Sequence, residues 1–209
     1  RFVALACSFV SKKNIIEYLE VFATTPAFKE ILTQLLFSKA EIDKLQKKLP
    51  ENDVGLKQLY RKILLPQSVK KIVKRSHLYK ERFYKRLASK VSPVAGDTLV
   101  LVDLGYSGTI HKCMEDILER DLKCKILSLF LLLKDSNQGN KRLRGMLSTE
   151  QYDARAIECI VLNINPLEQV CANDSPSVRD FLNDGSPIFS KEVIPLSQRN
   201  LRGLVQDAT

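Results

Sequence analysis

An apolar run that stops at an acid, a loop bracketed by glycines, an amphipathic stretch and a second apolar run follow one another between residues 98 and 133. In "TLVLVD" and "CKILSLFLLL" nearly every side chain is apolar, which is the mark of strands buried on both faces. Between them "GTIHKCMEDILERD" has helical spacing. Strand, helix and strand in that order predict a parallel βαβ unit covered on both sides, with a right-handed crossover. That expectation limits the fold class more than anything else in the chain.

The segments on either side differ in kind. Residues 1–95 carry 20 Lys/Arg against 8 Asp/Glu and residues 96–209 carry 13 against 16, so the net charge of +9 divides into +12 and −3. The basic part reads as helical throughout. "SKKNIIEYLEVFA" has Ser11 as a possible cap, and "TTPAFKEILTQLLF" has Thr25 before Pro26 at the first helical position. "SKAEIDKLQKKL" carries a capping box, Ser38 with Glu41, and should end at Leu49-Pro50. "VGLKQLYRKILL" follows, and Pro66 opens "PQSVKKIVKRSHLYKERFYKRLASKV".

In this last helix Val69, Ile72, Val73, Ser76, Tyr79, Phe83, Tyr84 and Leu87 keep the i, i+3, i+4 rhythm, and lysines and arginines fill the other faces. A basic helix with interleaved aromatics can meet nucleic acid, an anionic surface or an acidic partner. Because the charges surround an ordinary apolar stripe, a long solvated surface helix is the favoured reading. At "SPVAGD" a turn cluster separates the two textures. The expected fold class is α/β: an all-helical basic region, 1–95, and a Rossmann-like α/β domain, 96–209, with a phosphate-loop-like motif at 99–118.

Beyond the second strand, "KDSNQGNKRLRG" reads as a polar loop open to proteolysis. "ARAIECIVLNINPLEQVC" fits helix or strand. A short helix is expected from Ser177, and "SQRNLRGLVQDA" reads as a final helix.

Composition excludes several classes. No apolar stretch approaches the roughly 20 residues of a membrane span. Five cysteines, an odd number with no CxxC pair, and two isolated histidines argue against a disulfide framework and a zinc site, and for a reducing, cytoplasmic compartment. The opening "RFVALACSFVSKK" lacks a signal-peptide pattern and a starting Met, so the chain is expected to begin inside a larger protein.

The functional candidates lie in "VLVDLGYSGTI". Asp103 ends the strand at the carboxyl edge of the sheet, where α/β folds place ligands. It is the one candidate for a catalytic group. Gly105 and Gly108 allow positive φ and close backbone approach, Ser107 and Thr109 offer hydroxyls, and the N–H groups of Gly108, Thr109 and Ile110 would point out of the helix start. Tyr106 and His111 complete the expected phosphate-binding set. The plainer reading is a capped turn, with Asp103 or Ser107 as the cap.

Neither the G-x-G-x-x-G fingerprint nor the G-K-[ST] ending of a P-loop is present. Asp103, Ser107 and His111 can spell a Ser-His-Asp set, but all three fall within nine residues, whereas triads converge from separate elements. Glu158, Glu168, Asp180 and Asp184 are further carboxylates that could approach the loop.

The loop resembles that of type I phosphoribosyltransferases, with Asp103 as one acid, Leu104 in the place of the second, and Ser107-Gly108-Thr109 as the ribose-phosphate cradle. That resemblance implies a phosphoribosyl pyrophosphate donor and Mg²⁺. A broader resemblance runs through "RFVALACSF", "LVDLGYSGTI", "IECIVLNINPLEQV", "SPSVRDFLNDGSPIF" and "LRGLVQ". In that order they are similar to the C-terminal region of haloacid dehalogenase (HAD)-like proteins associated with bacterial surface-polysaccharide and glycosyltransferase genes. In that family Trp usually stands in place of Tyr106 and Gln in place of His111.

The resemblance implies an accessory module that holds a phosphorylated small molecule or sugar nucleotide beside an upstream HAD-like domain of the same parent chain. The D-x-D-x-T nucleophile loop of HAD phosphotransferases is not repeated here, since Gly105 replaces the second acid. Lys134, after the second strand, stands where a stabilising lysine could.

Overall fold

Local chemistry accounts for most of the helix boundaries before the first strand. The computed structural model describes residues 2–21, 28–50, 52–105, 108–134, 141–164 and 177–190. Within them the helical stretch divides into α1 (Phe2–Ser8), α2 (Lys12–Val21), α3 (Phe28–Gln34), α4 (Lys39–Gln46), α5 (Asp53–Ile63) and α6 (Pro66–Val91).

The Ser38–Glu41 capping box forms as expected: Ser38 Oγ accepts from the Glu41 N–H, and the Glu41 carboxylate accepts from the Ser38 N–H at 2.8 Å. α4 stops at Gln46, ahead of Leu49-Pro50. Asn52, a cap the sequence reading passed over, accepts from the Gly55 N–H at 2.9 Å and starts α5. Pro66 opens α6, and Ser92 closes it in the left-handed region with φ 44°. Thr25 and Pro26 lie outside the described residues.

The chain divides into two compact units, Arg1–Ser92 with Asp180–Pro187, and Pro93–Arg179 with Ile188–Thr209. In the helical unit α6 buries Ile72, Ser76 and Tyr79. Ser76 carries its polarity inward by donating to the Ala6 carbonyl of α1 at 2.6 Å, which satisfies its own hydroxyl. Leu5, Phe9, Ile15, Phe28, Ile31, Leu32, Leu59 and Ile63 complete the core. Each such side chain contributes about 2 kcal/mol of hydrophobic stabilisation.

Phe181 of the 180–187 segment packs edge-on against Tyr79, with centroids 5.6 Å apart. Gly185, at φ 87°, lies so near α6 that a Cβ there would come within 2.6 Å of the Arg86 nitrogen.

In the second unit β1 (Thr98–Asp103), α7 (Thr109–Leu122), β2 (Lys125–Leu133), β3 (Leu143–Ser148) and α8 (Ala154–Leu162) follow in order. The strands form a three-stranded sheet, β1-β2-β3, parallel throughout, with Leu101 opposite Ser128 and Phe130 opposite Gly145. The described residues thus comprise eight helices and a parallel sheet, a mixed α/β architecture. None of the described helices is long and apolar enough to cross a membrane.

The turn at "SPVAGD" is held by the Val94 N–H donating to Asp97 Oδ2 at 2.7 Å, and by Gly96 at φ 96°.

Three expectations change and one open alternative is decided. The stretch read as a loop contributes Leu143–Arg144–Gly145 to β3, and only its partner β2 makes that half-polar segment a strand. Coverage on both faces also fails. Registered partners share a face in a parallel sheet, so Leu99 and Leu101 lie with the buried Ile126, Ser128, Phe130 and Leu132 on one side. On the other side Val100, Val102, Leu129 and Met146 are exposed, Val102 at 81%.

The segment from Ser177 is a strand and not a helix. β4 (Val178–Phe181) pairs with β5 (Pro187–Phe189) around the Asp184-Gly185 turn. The ambiguous 154–162 stretch is helix α8, whose cap Asp153 accepts from the Arg155 and Ala156 N–H groups. "SQRNLRGLVQDA" lies outside the described residues.

Candidate functional site

The carboxyl end of β1 runs into the loop the sequence singled out. Asp103 is half-buried, in register with Phe130. Its carboxylate leans over Gly105, where a Cβ would meet Asp103 Oδ2 at 2.8 Å. Close approach, with no positive φ, is what glycine supplies at that position. Gly108 is the residue with the left-handed backbone, φ 64° and ψ 15°, and it is buried as the N-cap of α7.

Gly108 has no side chain with which to cap this 14-residue helix, and the first turn carries no acid. The positive end of α7 therefore faces the sheet edge without a carboxylate of its own to neutralise it. Thr109 begins the helix and is half-buried. Tyr106 and Ser107 lie outside the described residues.

His111 is one turn further in and has a different environment. It is 2% exposed, its Nδ1 lies 2.8 Å from Ser128 Oγ of β2, and its Nε2 lies 3.5 Å from Glu115 Oε2. Nε2 makes no hydrogen bond. Burial lowers the His111 pKa below its ordinary value, and the neighbouring Glu115 opposes that shift. The ring thus packs between α7 and β2, away from water.

Glu115 Oε1 accepts from Arg142 Nη1 at 2.7 Å, and Arg142 also donates to Glu119. Ser128, His111 and Glu115 line up in the sense of a hydrolase triad. However, Ser128 is 1% exposed, so no substrate carbonyl can reach it, and the group is a core tie. Two signals for it were visible in the sequence: the His111–Glu115 i, i+4 spacing, and Ser128 as the lone hydroxyl in an apolar strand.

Of the further carboxylates, Glu158 stands 3.8 Å from Lys134 Nζ, which assigns that lysine a salt-bridge partner. Asp180 pairs with Arg82 inside the helical unit, and Asp184 accepts from the Ser186 N–H, a bond that lowers its pKa. Glu168 lies outside the described residues. Among the described residues no group of three or more His, Cys, Asp or Glu gathers as a metal would require. None of the four described cysteines, Cys7, Cys113, Cys124 and Cys159, is in a disulfide.

On α6 much of the basic charge is engaged. Lys71 and Arg75 bind Glu41 at 2.8 and 2.7 Å, and Lys85 donates to the Asn183 carbonyl. No family model, no curated protein and no solved structure matches this chain.

Proposed function

We propose that the 103–109 loop binds a small anionic ligand, a phosphorylated small molecule or sugar nucleotide, on a Rossmann-like α/β frame. The observation that carries this reading is the start of α7: a buried, left-handed Gly108 at the N-cap, following the carboxyl end of a parallel strand. An anion there accepts from first-turn N–H groups and meets the positive end of the helix. Asp103 has a separate task. Its carboxylate would repel a bare phosphate but could accept from a sugar hydroxyl, or serve as one ligand to a Mg²⁺ ion that would offset the phosphate charge.

The identity of the ligand follows the family resemblance. In this reading the chain is the accessory module of a HAD-like protein of bacterial surface-polysaccharide synthesis, and the phosphotransfer chemistry belongs to an upstream domain.

Thermal shift with orthophosphate, glucose 1-phosphate and UDP-glucose, each with and without Mg²⁺, tests the site. Gly108→Val crowds the cradle and strains φ, and should abolish the shift. Asp103→Asn should weaken the sugar ligands or the Mg²⁺ dependence while sparing orthophosphate. If both variants stay folded and respond like the parent chain, the loop only turns the backbone.

A further inference from the structure

The helical unit has a second helix face that its own core does not use. Along α6, on the side away from Ile72 and Tyr79, an open groove of about 920 Å³ runs from Leu64 and Pro66 to Glu81, with Ser11 and Lys12 on its opposite bank. From Pro66 to Glu81 at 1.5 Å per residue it is about 22 Å long, some four turns of helix. Val69 and Val73 are half-buried in it, and Leu78 is 44% exposed.

Its charge is one-sided. Lys12, Lys70 and Lys74 line the groove and are exposed, and no described acid pairs with them; their neighbours Lys71 and Arg75 share the one carboxylate of Glu41. Glu81 is the one acid among the lining residues and stands at the far end, 3.4 Å from the His77 ring.

We infer that this groove docks one amphipathic α-helix of a protein partner, apolar at i, i+4 and i+7 and flanked by Asp or Glu. The apolar residues would cover Val69, Val73 and Leu78, and the carboxylates would meet Lys70 and Lys74, which sit one turn apart on the same bank. The competing occupants fit worse. An open groove leaves an isolated acyl chain half in water, whereas a ligand pocket buries most of its guest. A recessed apolar floor offers nothing to a phosphodiester backbone, whose binding rests on Lys and Arg contacts to successive phosphates. A bilayer is met by protruding apolar side chains, not by recessed ones. The groove lies wholly in the helical unit, so its occupation owes nothing to the 103–109 loop.

The test is selection of a display library of helix-forming 18-residue peptides on the full chain, followed by fluorescence anisotropy of the enriched peptides. Enriched sequences should be amphipathic and acidic. They should bind Lys70→Glu/Lys74→Glu at least tenfold more weakly, and peptides with their flanking Glu changed to Lys should recover binding to that variant. Circular dichroism checks that the double variant, altered only at exposed residues, stays folded. The proposal is overturned if no peptide is enriched or if the enriched peptides are basic or non-helical. It also fails if affinity is unchanged in the double variant, or if duplex DNA or phosphatidylglycerol vesicles bind more tightly than the peptides through the same lysines.

Discussion

Among the described residues, eleven of the twelve largest wholly buried side chains belong to the helical unit, and only Phe130 to the sheet unit. The helical unit therefore encloses a core of its own. The sheet unit covers one face with α7 and α8, where Leu132, Ile157 and Ile164 cluster, and presents Val100, Val102, Leu129 and Met146 to water on the other. Parallel sheets are ordinarily covered on both faces, because the crossover connections between parallel strands lay helices on them. Stability in this chain should accordingly be concentrated in the helical unit.

Truncation of a core side chain on each side tests that contrast most directly. Leu32→Ala should cost about 3 kcal/mol in urea denaturation, while Val102→Ala on the bare sheet face should change stability by less than about 0.5 kcal/mol. Comparable losses from both would mean that the sheet face is covered in solution.

Gly185→Ala should cost about 2 kcal/mol, since φ 87° strains any side chain and the new Cβ would press on the α6 backbone. Hydrogen exchange should show the loss at the 180–187 hairpin tip and not at β2. Uniform loss across both units would erase the distinction between them.

Glu41 is expected to matter less. Burial disfavours its charge, but the bonds from Arg75, Lys71 and Ser38 outweigh that and hold its carboxyl well below the usual 4.5. A depressed acid contributes stability that is present above its unfolded pKa and is lost as pH falls through the folded one. Glu41→Gln should thus lose about 1 kcal/mol at pH 7 and flatten the stability profile below pH 4.5. An unchanged acid limb would assign that pH dependence to other carboxylates.

The smallest effect belongs to the sheet unit. His111 has a lowered pKa in the folded state, so the unfolded chain takes up the proton first as pH drops. Stability should be intact above the usual 6.5 and decline below it, and His111→Gln should remove that decline with little change at pH 7. Melting temperatures of parent and variant between pH 5 and 8 measure this. Parallel curves for the two would show that folding leaves the His111 pKa at its unfolded value.

What could be read in advance was governed by short-range chemistry. Pro66, the Ser38–Glu41 box and the stripe through Ile72 and Tyr79 announce their helices from within a few residues. Asp103 and Gly108 announce the end of β1 and the start of α7 in the same way. β3 was hidden because "LRGMLS" mixes Arg144 and Gly145 into its alternation and becomes a strand only against β2. At 178–189 Ser177 has the look of a helix cap, but the Asp184-Gly185 turn signal outranks it and the segment is a hairpin.

The sequence alone determined which segments are helix or strand wherever the deciding contacts span a turn or less, and it placed the glycine loop between β1 and α7. Tertiary structure decided the rest. It placed His111 against Ser128, assigned Lys71 and Arg75 to Glu41 while leaving Lys70 and Lys74 exposed along a groove, and left Val100, Val102, Leu129 and Met146 of one sheet face exposed. An apolar or charged side chain records in the sequence that it needs a partner. Which partner it meets depends on residues far away in the chain, and those are brought near only by folding.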